Sequence, residues 1–263
     1  VNAANVGGLV GNCSGEMNIA APISKMQITA NTANNANNAA NVGGVVGTAG
    51  TLNMTIRDDV ILTSNNPTEE NYGKISATST GAGTETIYVG GIVGHAQQAL
   101  SVYTDQSVDF KTSDMTITAQ SASKVYAGGV VGCAGTATIG NNNAGLNTNT
   151  QGEVKNKVMK VLCGGTVYAG GLVGYTKNAQ IQNSWSGTDV EISGVTENSK
   201  ITFGGIVGKI SDAQSGVIVD SNISYGRFFV DSNINPNTIN AGGIAGSIQK
   251  SGTTKIIVVK KNK

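Results

Sequence analysis

Gly170-Gly171-Leu172-Val173-Gly174 is the phrase whose reading decides the fold, because the chain writes it seven times. The other copies are Gly7-Gly8-Leu9-Val10-Gly11, Gly43-Gly44-Val45-Val46-Gly47, Gly90-Gly91-Ile92-Val93-Gly94, Gly128-Gly129-Val130-Val131-Gly132, Gly204-Gly205-Ile206-Val207-Gly208 and Gly242-Gly243-Ile244-Ala245-Gly246. Successive copies start 36, 47, 38, 42, 34 and 38 residues apart. A fixed phrase recurring on that scale marks stacked structural units rather than one catalytic loop. The phrase runs almost from end to end, so residues 1–263 read as a single repeat domain.

The shortest unit, from Gly170 to Gly204, shows what lies between phrases. Ala179–Trp185, Asp189–Ser193 and Lys200–Phe203 each alternate apolar with polar residues, the period of a half-buried strand. Gly187, Gly194 and Asn198 fall between them as turn residues. The same syntax returns at Met115–Thr118 and Lys124–Tyr126, and more loosely at Asn237–Ala241. Glycine every few residues costs a helix up to about 1 kcal/mol each, so the chain is expected to be all-β. About three short strands per unit, repeated in tandem with few hairpin signals, predict a parallel β-solenoid, or β-helix.

Tyr88, Tyr126 and Tyr168 each stand two residues before a Gly-Gly pair, where the other copies carry Asn5, Asn41, Thr202 and Asn240. With one coil per unit these tyrosines would stack about 4.8 Å apart as an aromatic ladder; two small coils per unit would pull them apart. Each Gly-Gly pair is expected to turn a corner at φ values other residues avoid and to admit close backbone approach. The Leu, Val or Ile between the Gly-Gly pair and the third glycine is expected to fill the core as a column, and Phe203 to plug the corner where other copies have Val or Ala.

Charged residues make up 13% of the chain, against about 25% in ordinary soluble proteins, and the formal net charge is +1. That balance gives no reason to expect a nucleic-acid or membrane-surface partner. No apolar run approaches the roughly 18 residues of a membrane span. The start at Val1 suggests either a removed signal peptide or an excised fragment.

Cys13, Cys133 and Cys163 lack the close spacing of a zinc or redox site. Three coils would hold Cys13 and Cys133 roughly 14 Å apart, beyond bridging. Pairing of Cys133 with Cys163 stays open beside the favoured reading of small buried hydrophobes. His95, the single histidine, shares its place after the phrase with Asn12, Thr48, Cys133, Tyr175 and Lys209, which reads as a variable surface position. Asp58-Asp59 and Glu69-Glu70 are expected in a solvated loop, since sequence neighbours on a strand point to opposite faces. Lys255, Lys260, Lys261 and Lys263 bracket an apolar last strand as an edge guard would. No catalytic, cofactor-binding or metal-binding residue is assigned, and no cofactor is expected.

The phrase, with the run Gly171–Trp185, resembles the GLUG repeat of bacterial surface proteins across nearly the whole chain. Insertions from Asp58 to Gly83 and Gly140 to Val158 lengthen the unit beyond that family's compact form. The resemblance implies an extracellular or cell-surface, adhesin-like setting, and brings no catalytic residues. The expected function is a noncatalytic structural or adhesive module, a rigid rod whose loops meet a host protein, a glycan or another copy. The alternative is a polysaccharide-acting β-helix enzyme, a lyase or glycosidase, for which two arginines, Arg57 and Arg227, are a poor supply. Surface-lattice binding by a threonine array is a third class, hinted at by Thr116, Thr118, Thr136 and Thr138, but the pattern does not recur in every unit.

Overall fold

The computed structural model describes residues 3–20, 27–32, 39–56, 74–79, 85–104, 116–121, 123–140, 158–213, 217–231, 233–250 and 258–260. Among these there is no helix, and all the strand pairings are parallel. Three sheets build a β-solenoid. The first holds seven strands, Ala3–Gly7, Ala39–Gly43, Thr86–Gly90, Lys124–Gly128, Thr166–Gly170, Lys200–Gly204 and Thr238–Gly242, stacked in sequence order. The second starts at the fourth residue of each glycine phrase, with Val10–Ile19, Val46–Ile56, Val93–Thr104, Val131–Ile139, Val173–Gln182, Val207–Ala213 and Ala245–Lys250 on its main path. The third holds Gln27–Thr32, Lys74–Ser79, Thr116–Ser121, Val158–Cys163, Asp189–Ser193 and Phe228–Val230.

Register settles how many coils a unit makes. Gly43 pairs with Gly7 and Gly90, Gly128 with Gly90 and Gly170, and Gly204 with Gly170 and Gly242. Each unit is therefore one three-sided coil. The strand predicted at Asp189–Ser193 is found at those bounds, whereas the stretch Ala179–Trp185 is broken after Gln182, where Asn183 takes a φ of 51° before the short strand Trp185–Ser186.

The interior is made of apolar columns. Ile87, Val125, Val167 and Ile201 stack in the first sheet, and Ile75, Ile117, Met159 and Val190 in the third; all are buried. Each such side chain withdrawn from water contributes on the order of 1.5–3 kcal/mol against chain entropy. Val45, Ile92, Val130, Leu172 and Ile206, the branched residues inside the phrase, have no exposed surface, while Leu9 in the end coil is 55% exposed. Phe203 takes the place of Ala169 and Ala241 in its column, and its ring stacks on Phe228 of the third sheet at 4.4 Å and 5°.

Of the two roles expected of the phrase glycines, close backbone approach is found and the unusual φ is not. Among the described residues the positive-φ glycines are Gly15, Gly140 and Gly194, none of them in a phrase. What demands glycine is space. A Cβ on Gly90 would stand 1.9 Å from the Val93 carbonyl oxygen, one on Gly44 2.0 Å from that of Gly91, and one on Gly94 2.4 Å from the Val42 nitrogen. The first glycine thus fits against its own phrase, the second against the next coil, and the third against the first-sheet backbone of the preceding coil. Backbone in contact with backbone leaves no room for a methyl group.

Candidate functional site

That contact brings two columns of side chains face to face. On the first sheet run Asn5, Asn41, Tyr88, Tyr126, Tyr168, Thr202 and Asn240. On the second run Asn12, Thr48, His95, Cys133, Tyr175, Lys209 and Ser247. The aromatic ladder foreseen from the tyrosine positions is present, with centroids 4.8 Å apart for Tyr88 and Tyr126 and 5.2 Å for Tyr126 and Tyr168.

The second column closes the ladder. His95 lies flat on Tyr88 at 4.3 Å and 9°. The Lys209 ammonium sits 5.2 Å from the Tyr168 ring centroid, a cation–π contact. Tyr175 meets Tyr126 edge-on at 5.3 Å, and its hydroxyl is 2.5 Å from Ser211 Oγ. Below the rings, Asn41 Nδ2 donates to Asn5 Oδ1 at 2.7 Å, and Thr48 Oγ1 donates to the His95 carbonyl at 3.2 Å.

Burial holds the Tyr88, Tyr126, Cys133 and His95 side chains of this seam in their neutral forms near pH 7. Burial raises the Tyr88 phenol to about 12, with Cys133 and Tyr175 adding to the effect. Tyr126 is raised further, again by burial first. Burial pushes the Cys133 thiol up to about 12, partly offset by the Lys177 charge, and lowers His95 below its ordinary value. Cys133 and His95 are neighbours in register, yet the pair rests as thiol and neutral imidazole, not as a charged nucleophile and acid. The reading of His95 as a variable surface position is corrected: it is half-buried and stacked. Its signal was available, since the same offset from the phrase carries Tyr175 and Lys209, which also contact the ladder.

All three cysteines are free, so Cys133 and Cys163 do not pair. Cys163 occupies a third-sheet position beside Ser121, and its sulfur accepts from the Gly165 N–H at 3.4 Å. Asp58, Asp59, Glu69, Glu70 and Arg57 lie outside the described residues, as do Lys255, Lys261 and Lys263. The strand Val258–Lys260 pairs with Ile218–Asp220. Arg227 is anchored to Asp189, with Nη2 2.7 Å and Nε 3.2 Å from Oδ2 and the backbone N–H 2.8 Å from Oδ1. A further carboxylate, Glu85, is buried and accepts from the Ser79 hydroxyl. Among the described residues no three His, Cys, Asp or Glu side chains gather as a metal ion would require, and no helix is long and apolar enough to cross a membrane. No known protein family, curated protein or solved structure matches the chain.

Proposed function

We propose that this chain is a noncatalytic extracellular or cell-surface module, a stiff repeat rod of structural or adhesive role. The observation that carries the reading is where the chain spends its regularity. The phrase glycines, the apolar columns and the aromatic ladder all serve coil-on-coil stacking, and the Cys133 and His95 pair within the ladder is held by burial as thiol and neutral imidazole at neutral pH. The resemblance to GLUG repeats supports the same setting. A fold of this kind hosts many functions, so the test addresses binding and turnover together. The purified chain is screened against glycans and host matrix proteins, and its self-association is followed by light scattering. Binding or self-association is expected; turnover of acidic polysaccharides, or no partner of any kind, would count against the reading.

A further inference from the structure

Resting on that adhesive reading, we propose that the outer face of the third sheet carries a binding site for a neutral saccharide, centred on Phe229. The strands Val158–Cys163, Asp189–Ser193 and Phe228–Val230 pair so that Lys160, Glu191 and Phe229 follow one another up a single outward column. Beside it Leu162 pairs with Ser193, and Asp231 follows Ser193, its N–H donating to the Ile192 carbonyl at 2.8 Å. Lys160, Glu191, Ser193, Phe229 and Asp231 line a shallow depression on this face.

Phe229 is 46% exposed, although most large apolar side chains of the described coils are buried. Its ring is held before any ligand arrives. The Arg227 guanidinium carbon stands 5.4 Å from the ring centroid, and Arg227 is itself fixed by its three bonds to Asp189, which is buried. A ring positioned in advance loses little freedom on binding.

Charge selects the ligand class. Lys160 Nζ lies 3.4 Å from Glu191 Oε2, so the ammonium is already shared with a carboxylate, and Asp231 adds a second negative group. An acidic glycan would meet the carboxylates of Glu191 and Asp231 where both nearby cations are already engaged, Lys160 by Glu191 and Arg227 by Asp189, and a purely apolar ligand would cover those carboxylates without bonding them. A neutral sugar satisfies both demands. Its C–H face lies on the Phe229 ring, its hydroxyls donate to Glu191 and Asp231, and Lys160 and Ser193 donate to its oxygens. A few convergent polar groups around an apolar anchor are the usual makeup of a small-ligand site.

The test titrates the intact chain with cellotriose, chitotriose, maltotriose and mannotriose by calorimetry and saturation-transfer NMR, with oligogalacturonate as the acidic comparator. At least one neutral trisaccharide is expected to bind. Phe229→Ala should weaken it about tenfold, the scale for truncating a central aromatic anchor. Glu191→Gln should weaken it by a smaller factor. Circular dichroism and thermal melting confirm that each variant is folded, and Asp231→Asn, at an exposed position, supplies a second probe should Phe229→Ala fail to fold. Preference for oligogalacturonate, no neutral trisaccharide bound below about 10 mM, or affinity unchanged in Phe229→Ala and Asp231→Asn overturns the proposal. Binding to other partners that ignores these variants leaves the adhesive reading standing while removing this site; no partner at all defeats both.

Discussion

Gly205 and Gly243 occupy the same place in successive phrases, and their surroundings differ completely. A Cβ on Gly205 would lie 2.0 Å from the Gly243 carbonyl oxygen and 2.2 Å from Ser224 Oγ, whereas one on Gly243 meets nothing within 4 Å. Neither has a positive φ, so alanine is strained by crowding alone. Gly205→Ala is expected to cost about 3 kcal/mol, the upper range for overpacking, because the nearest obstacle is backbone and cannot rotate away. Gly243→Ala should stay within about 0.5 kcal/mol of wild type, or gain slightly from a less flexible unfolded chain. Urea denaturation of the two variants checks this, and equal losses would show that the phrase needs backbone freedom rather than room.

A second residue-scale consequence concerns His95. Burial lowers its folded pKa below the ordinary value of 6.5, so the unfolded chain takes up the proton first as pH falls. The stability contributed by neutral His95 is complete above the unfolded pKa and is lost as pH drops below it. Its neighbours Tyr88 and Cys133 have raised pKa values and stay neutral across that window. His95→Phe keeps a flat ring against Tyr88 and removes the titration. The melting temperatures of wild type and His95→Phe should therefore diverge below about pH 6.5, with wild type falling more; parallel curves would remove the burial argument.

At the scale of the element, the ladder gains from each ring having two neighbours. Tyr126 stacks on Tyr88 and Tyr168 and meets the Tyr175 edge. Removing its ring breaks three contacts of about 0.5–1.5 kcal/mol each, although the neighbours recover part of that by relaxing. Tyr126→Ala is expected to cost about 2–3 kcal/mol and to flatten the near-ultraviolet circular dichroism of the coupled phenols, while Tyr126→Phe keeps most of the stability. A near-ultraviolet spectrum unchanged in Tyr126→Ala would mean the rings are not held together in solution.

The ladder was also the part of the candidate site legible in the sequence, because its members sit at one fixed offset from an unmistakable phrase. The first two sheets were readable for the same reason: counting from Gly90 or Gly128 fixes register on both sides. The third sheet gave up a strand, Asp189–Ser193, but not its register. Lys160 is aligned with Glu191 and Glu191 with Phe229, at separations of 31 and 38 residues. No phrase marks those strands, and insertions of differing length precede them. Period-two alternation could place Asp189, Glu191 and Ser193 on one face, but nothing in it said which residues of neighbouring coils would lie beside them. Of the two roles read for the glycines, close backbone approach holds and the unusual φ does not, for a related reason. A Gly-Gly pair looks the same whether it supplies an unusual φ or an empty volume, and only the distances to Val93, Gly91 and Val42 separate the two.

For the whole molecule, stability is close to one-dimensional: each coil is supported chiefly by the coil above and the coil below, so an end coil has half the support of a middle one. The structure shows the difference along a single column. Val125, Val167 and Ile201 have no exposed surface, and Ile239, next in that column, is 47% exposed. At the opposite end Leu9 is exposed where Ile92 is fully buried. A charge introduced at Ile92 has coils on both sides and no route to water, so Ile92→Asp should leave the middle of the solenoid unable to stack. Leu9→Asp should cost under about 1 kcal/mol, since that side chain already faces solvent. Hydrogen exchange extends the contrast to the backbone. Amides of Lys124–Gly128 should exchange only through near-global opening, and those of Thr238–Gly242 through fraying of the last coil at a much lower free energy. Uniform protection across these two strands would mean that the coils unfold as one cooperative block. The nearest-neighbour picture would then have to be replaced by one in which Ile92→Asp unfolds the end coils together with the middle ones, rather than leaving them to stack among themselves.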